Sequence, residues 1–180
     1  MTIEGDWRGH YSDRGRGGLT DSEEGIQFPI SASFYFKRGE LFGNMLDENP
    51  TFDSAYSEIV ELHRHEMSPE AERKADEFLE RFPDTVLKST LPSNSLLRGK
   101  FQSPRIEFVK EYQGWHEMYW LIDGRRQTVV REHNHRVWYE GSLSEDGTVI
   151  SGTWKIKEPG ILGLWKEPKS TGVFRLDRVE

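Results

Sequence analysis

Two histidines separated by one residue, His133 and His135, form the sharpest local pattern in the sequence. On a β-strand, residues i and i+2 share a face with Cα atoms about 6–7 Å apart, so both imidazoles can reach one metal ion. Glu140 follows and would supply a carboxylate as a third ligand, although strand alternation sets it on the face opposite Tyr139. The alternative interpretation is a turn rich in His and Asn that joins two strands, and the sequence leaves both interpretations open.

Lys110 lies among residues that the alternating pattern places on the inward face of a predicted sheet. Lys110 shares its parity with Phe108 and Tyr112 in the alternating segment from Ile106 to Tyr112. A buried ammonium group without a partner tends to lose its charge. Its functional interpretation is therefore a clamp for a ligand carboxylate, or an amine that forms a Schiff base. Its structural interpretation is a lysine that reaches water at a strand end or pairs with a carboxylate such as Glu140.

Aromatic side chains of the same inward parity complete a candidate pocket for a small, largely apolar molecule that Lys110 would orient by its polar end. The predicted ligand-binding residues are Phe34, Phe36, Phe108, Lys110, Tyr112, Tyr119 and Tyr139. Packing of a filled core produces the same pattern, so a hollow interior and a filled one both remain open.

The elements that hold these residues are mostly strands, because apolar and polar residues alternate with a period of two along most of the chain. The alternating segments cover residues 5–11, 26–37, 41–45, 106–112, 137–143, 150–156 and 172–178. Between two of them, Asp146-Gly147 indicates a hairpin turn, since glycine adopts positive φ at little cost. The sequence therefore predicts a mainly β fold.

An acidic segment interrupts this pattern with helical spacing. From Pro50 to Thr85 there are ten acidic and four basic residues. Ser68-Pro69 is typical of a helix start and Pro83 of a helix end, and a shorter helix is predicted from about Asp53 to Glu66. We therefore expect one domain over residues 1–180 with a helical hairpin inserted at about 52–84. Its apolar edge would cover the mouth of a barrel or present a surface to a basic protein partner.

The two ends of the chain resemble the calycin group of β-barrels, which comprises lipocalins, fatty-acid-binding proteins and avidins. The resemblance rests on Gly5-Asp6-Trp7 in the first strand and Arg178 in the last strand. It implies an antiparallel up-and-down barrel of about 8–10 strands, in which Trp7 and Arg178 form a structural pair at the barrel floor. The segment from Gly147 to Trp154 also resembles late strands of small bacterial lipocalin-like domains. The helical hairpin departs from fatty-acid-binding proteins, whose helices follow the first strand rather than the third.

The histidine pair carries a second resemblance. His133, His135, Glu140 and Gly147 are spaced like the first metal motif of cupins, which are also small β-barrels. The second cupin motif contains a further histidine, and no histidine follows His135 in this chain. The resemblance implies at most a site of two histidines and one glutamate.

Composition restricts the function classes. The chain has 24 basic and 31 acidic residues, and this net charge of −7 disfavours nucleic-acid binding. It contains no cysteine, no predicted membrane span and no predicted signal peptide, so we expect a cytoplasmic protein. No nucleotide or nucleophile motif indicates a cofactor or a reaction. The leading hypothesis is a non-catalytic ligand-binding barrel, followed by a protein-interaction module and a cupin-like metalloenzyme.

Overall fold

The computed structural model describes residues 2–13, 27–159 and 165–179, and the chain forms two compact units. The first unit comprises Met1–Asn49, Pro92–Gly114 and Asn134–Glu180, and the second comprises Pro50–Leu91 and Trp115–His133. The single domain expected from the sequence stays a prediction, and each unit is described by itself.

The first unit is a closed antiparallel barrel of eight strands. Its strands are β1 (Gly5–Asp13), β2 (Gln27–Lys37), β3 (Glu40–Asp47), β6 (Asn94–Gln102), β7 (Arg105–Tyr112), β10 (Arg136–Leu143), β11 (Val149–Pro159) and β12 (Trp165–Arg178). Each strand pairs with the next barrel strand along the chain, and β12 closes onto β1 with Trp7 opposite Arg178. The predicted mainly β class and antiparallel barrel are confirmed.

The period-two pattern sets which side chains fill the barrel. Along β3, Leu41, Gly43, Met45 and Asp47 are buried, while the residues between them lie outside. Because side chains of a strand alternate between two faces, one face of every barrel strand lines a common interior. The predicted turn between β10 and β11 is also present, and Gly147 has a φ of 75° there.

Asp146 holds that turn. One of its carboxylate oxygens accepts hydrogen bonds from the hydroxyl of Ser144 at 2.6 Å and from the backbone N–H of Thr148 at 3.1 Å. These bonds stabilise the ionised form and lower the pKa of Asp146 to about 2.

The second unit is a four-stranded antiparallel sheet with two helices between its first two strands. The strands lie in the order β4 (Thr51–Ala55), β5 (Val86–Thr90), β8 (Trp115–Ile122) and β9 (Arg125–His133). The pairing of β8 with β9 shifts register between Met118 and Tyr119. This sheet was not predicted, and part of it occupies the start of the expected helical segment.

The helices are α1 (Tyr56–His63) and α2 (Pro69–Arg81), joined through a 3₁₀ turn at Arg64–Glu66. As predicted, Ser68 caps α2 by accepting a hydrogen bond from the N–H of Ala71, and Pro69 is the first helical residue. The first helix starts later than predicted, because Thr51–Ala55 pairs with β5 as a strand. Of the helices that the structure describes, none has the length and apolar character needed to cross a membrane.

Aromatic and ionic contacts fasten the helices within their unit. The ring of Tyr56 on α1 meets Phe78 on α2 at 5.1 Å and Trp120 on β8 at 5.4 Å. Arg64 binds carboxylates of Glu61, Glu72 and Asp76 at 2.7 to 3.1 Å, which raises its pKa. The apolar edge of the helical hairpin therefore packs on the sheet of its own unit.

Candidate functional site

One end of the barrel, which we call the tryptophan end, is closed by Trp7 and Arg178 where β1 begins and β12 ends. Trp7 is 1% exposed, and the guanidinium carbon of Arg178 lies 4.5 Å from the centre of its indole ring. The indole N–H donates to the carbonyl oxygen of Ile3 at 2.9 Å. Arg178 donates to three further carbonyl oxygens, those of Thr2 at 2.6 Å, Gly147 at 2.9 Å and Glu4 at 3.0 Å. The pair thus ties the chain start and the β10–β11 turn to the barrel.

Aromatic rings in mutual contact fill the middle of the barrel. Phe108 on β7 stacks on Tyr139 of β10 at 4.8 Å and meets Phe34 of β2 edge-on at 5.4 Å. Phe174 of β12 meets Tyr139 at 5.1 Å, and all four side chains are buried. Three of the predicted ligand-binding residues, Phe34, Phe108 and Tyr139, are therefore brought together here.

At the opposite end, where β1, β3 and β7 finish and β6 and β10 begin, Lys110 forms a buried ion pair with Asp47. The ammonium nitrogen of Lys110 lies 2.6 Å and 2.8 Å from the two carboxylate oxygens of Asp47. The side chains are 0% and 3% exposed. The same nitrogen lies 4.4 Å from the ring centre of Tyr112 and 5.8 Å from that of Tyr11, within the range of cation–π attraction.

Burial shifts the titration of the groups around this pair. Loss of hydration lowers the pKa of Lys110, and the negative charge of Asp47 opposes that shift. Burial, followed by the nearby charge of Asp47, raises the pKa of Tyr112, whose side chain also hydrogen-bonds Asp47. The pKa of Tyr139 rises mainly because of burial as well. Both phenols therefore stay protonated near neutral pH and keep a hydroxyl that can donate.

Further polar side chains gather at this end, which we call the polar end. Ser95 donates to the carbonyl oxygen of Met45 at 2.8 Å, and the His135 ring stacks against Tyr112 with centres 5.9 Å apart. The indole N–H of Trp154 donates to the carbonyl oxygen of Ser12 at 2.9 Å. Among the side chains that the structure describes, six polar or charged ones are buried. Five of these lie at the polar end, namely Ser12, Asp47, Ser95, Lys110 and His135.

Two of the predicted ligand-binding residues lie elsewhere. Phe36 has inward parity on β2, but it is 37% exposed because it lies beyond the packed interior. Tyr119 belongs to β8 in the second unit, where the guanidinium carbon of Arg126 lies 4.0 Å from its ring centre. The sequence of β8, WHEMYWLI, shows no clear period of two, and the sequence carried no mark of a second sheet.

The three predicted metal ligands do not share one strand face. Asn134 has a φ of 53°, in the left-handed region, so the alternation that would align His133 with His135 is broken between them. His133 ends β9 in the second unit and packs on Trp115 at 4.9 Å. In the barrel unit, His135 is buried with inward parity, whereas Glu140 is exposed on the outward face of β10. His133 and His135 therefore do not lie on one continuous strand, and a metal site of His133, His135 and Glu140 stays a prediction.

Asp47 is the functional residue that the sequence interpretation missed. It continues the inward alternation of Leu41, Gly43 and Met45 by one more step, so the strand pattern carried the signal. A carboxylate at the end of an apolar strand face is easily taken for the start of a loop. Its partner Lys110 was singled out, but the pairing was expected with another carboxylate.

Comparison of the chain with protein-family models, curated proteins and solved structures gave no match. The function is therefore argued from the geometry of the barrel alone.

Proposed function

We propose that this protein is a non-catalytic, calycin-like barrel that binds a small, largely apolar molecule, and that the polar end holds the polar group of that ligand. The observation that carries the proposal is the concentration of buried polar side chains at one end of an otherwise apolar interior. We also propose that it works in the cytoplasm, a reducing compartment that suits its cysteine-free sequence.

The energetic cost of the ion pair supports a role beyond stability. Removing an ammonium and a carboxylate group from water costs several kcal/mol each, and replacing a buried pair by apolar residues is often neutral or stabilising. A contribution to stability alone therefore does not explain why Asp47 and Lys110, rather than apolar residues, occupy these buried positions. Hydrogen-bonding groups converging beside apolar and aromatic walls are typical of small-molecule sites.

The protonation states support binding rather than catalysis. Tyr112 and Tyr139 have raised pKa values and keep their protons near neutral pH. Both oxygens of Asp47 already contact Lys110. The side chains at the polar end are thus suited to forming hydrogen bonds with a ligand.

Two tryptophan indole groups offer matched reporters for a test. Trp154 and Trp7 each donate to a backbone carbonyl oxygen at 2.9 Å, at the polar and the tryptophan end respectively. In a ¹H–¹⁵N NMR titration with 1-octanol, we expect the indole signal of Trp154 to shift to saturation while that of Trp7 stays in place. The variants Trp154→Phe and Trp7→Phe assign the two signals.

The outcome that contradicts the proposal is the absence of any saturable shift at Trp154 with 1-octanol and with a neutral aromatic probe, N-phenyl-1-naphthylamine. A saturable shift at Trp7 alone would also contradict it, because it would assign binding to the opposite end.

A second candidate function is contact with a basic protein partner through the acidic helices. The observation that favours it is Leu62 at the end of α1, which is 65% exposed on a helix that also carries Glu58 and Glu61. A photocrosslinking amino acid at position 62 should capture one defined protein in cells. The matched control is position 129 on β9, where Val129 is 51% exposed and the neighbours are basic. Equal labelling at the two positions would contradict this candidate.

A further inference from the structure

Resting on the proposed function, we infer that the polar group which binds at the polar end is uncharged: an alcohol, a ketone or an amide rather than a carboxylate or an amine. This corrects the role expected for Lys110 from the sequence, in which its ammonium group clamps a ligand carboxylate.

The charge at the polar end is already balanced. Of the side chains that the structure describes, Asp47 and Lys110 are the only buried carboxylate and the only buried ammonium. Both carboxylate oxygens lie within hydrogen-bond distance of the same nitrogen. The net charge of the pair is zero whether the shared proton lies on the lysine or on the aspartate.

A charged ligand would upset this balance. A carboxylate that bound Lys110 would displace Asp47 and leave that carboxylate buried without its partner. An amine would compete for Asp47 and leave Lys110 unpaired, and the rings of Tyr11 and Tyr112 already face the lysine cation. A buried charge without a partner is far more costly than a neutral hydrogen bond.

Neutral groups suit the remaining chemistry. The hydroxyl of Tyr139 stays protonated and can donate to a carbonyl or hydroxyl oxygen, whereas the hydroxyl of Tyr112 bonds Asp47 and can still accept. Ser12 and Ser95 add hydroxyl groups at the same end of the barrel. A neutral group gains these bonds without breaking the ion pair.

Four probes with one eight-carbon chain test the inference: 1-octanol, octanamide, octanoate and octylammonium. Their dissociation constants at pH 7 are read from the Trp154 indole signal. We expect the better of the two neutral probes to bind at least about tenfold more tightly than either ion, given the cost of an unpaired buried charge. Binding of either ion as tight as that of the neutral probes overturns the inference and leaves the proposed function standing. No saturable shift with any of the four overturns the inference, and the same absence with N-phenyl-1-naphthylamine overturns the proposed function as well.

Two single substitutions sharpen the test by unbalancing the charge. Asp47→Asn removes the only carboxylate that supports the charge of Lys110, and a bound octanoate would restore that partner, so the preference should move toward octanoate. Lys110→Met gives the polar end a net negative charge and should move the preference toward octylammonium. The double variant Asp47→Leu/Lys110→Met is neutral again and should reject both ions, as the natural protein does. If a single variant does not fold, the probe series on the natural protein still decides the inference.

Discussion

The two ends of the barrel satisfy a buried or partly buried cation in different ways. At the tryptophan end, Arg178 donates to three backbone carbonyl oxygens and lies over Trp7. At the polar end, Lys110 is held by the side chain of Asp47 and by tyrosine rings. The carbonyl groups that Arg178 contacts belong to the backbone before β1 and in the β10–β11 turn, whereas a side chain can exchange its partner by changing rotamer. The comparison therefore separates a structural closure from the end at which we propose that a ligand binds.

Breaking the ion pair at the polar end should give the largest effect. Asp47→Ala or Lys110→Ala leaves one buried charge without a partner, so we expect a loss of about 3–5 kcal/mol in the free energy of unfolding. Asp47→Leu/Lys110→Met should be within about 1 kcal/mol of the natural protein, or more stable. Urea denaturation measures all three. A double variant as unstable as the single ones would show that the pair is required for the fold itself.

Breaking the closure at the tryptophan end should cost less. Arg178→Met keeps much of the apolar stem but removes three hydrogen bonds and the contact with Trp7. We expect a loss of about 2 kcal/mol by the same measurement. The matched control is Arg175→Met on the outer face of β12, where an exposed pair with Asp177 is worth about 0.5 kcal/mol. Equal losses of unfolding free energy in the two variants would contradict the structural role of Arg178.

The two tryptophans allow a direct comparison of the ends with one kind of substitution. Trp154→Phe removes one indole hydrogen bond to a carbonyl and should cost about 1 kcal/mol. Trp7→Phe removes an equivalent bond and also weakens the platform beneath Arg178, so we expect it to cost about 1 kcal/mol more. The order of the two thermal midpoints is the readout, and the reverse order would contradict the closure role of Trp7.

The smallest effect concerns pH. The folded pKa of Asp146, about 2, lies below its ordinary value of 3.8, so the ionised carboxylate stabilises the folded state. That contribution is present above about pH 4 and is lost as the pH falls toward about 2. Compared with Asp146→Asn, the natural protein should therefore lose its advantage in stability across this window. Paired urea titrations at pH 5 and pH 2 check this. A constant difference between the two proteins would contradict the role of the Asp146 carboxylate.

The barrel could be predicted from the sequence because each strand faces a single interior. Alternation in β2, β7 and β10 marks Phe34, Phe108 and Tyr139 as inward from the sequence alone. The polar end was half predicted, because Lys110 was singled out from the sequence but Asp47 was not. Pairing between β3 and β7 residues 63 positions apart leaves no local trace in the sequence.

The second sheet escaped prediction for a different physical reason. Its strands β4 and β5 are five residues each, too short to show a period against neighbouring helices. Strand β8 is apolar from Met118 to Ile122 without alternation, so its sequence carries no sign of which sheet holds Tyr119. The side-chain pattern tells which face is buried but not which sheet covers it.

The register shift in the second sheet has a consequence for behaviour at high concentration. A closed barrel has no edge strand, but the second sheet has two within the described part of the chain, β4 and β9. Strand β9 is the edge next to the register shift. Arg125, Arg126 and Arg131 line it, and the irregular step opposite Met118 and Tyr119 distorts its row of backbone groups. Charge and distortion of this kind obstruct templated stacking of one molecule on another. The β9 edge of the sheet should therefore resist the growth of fibrils.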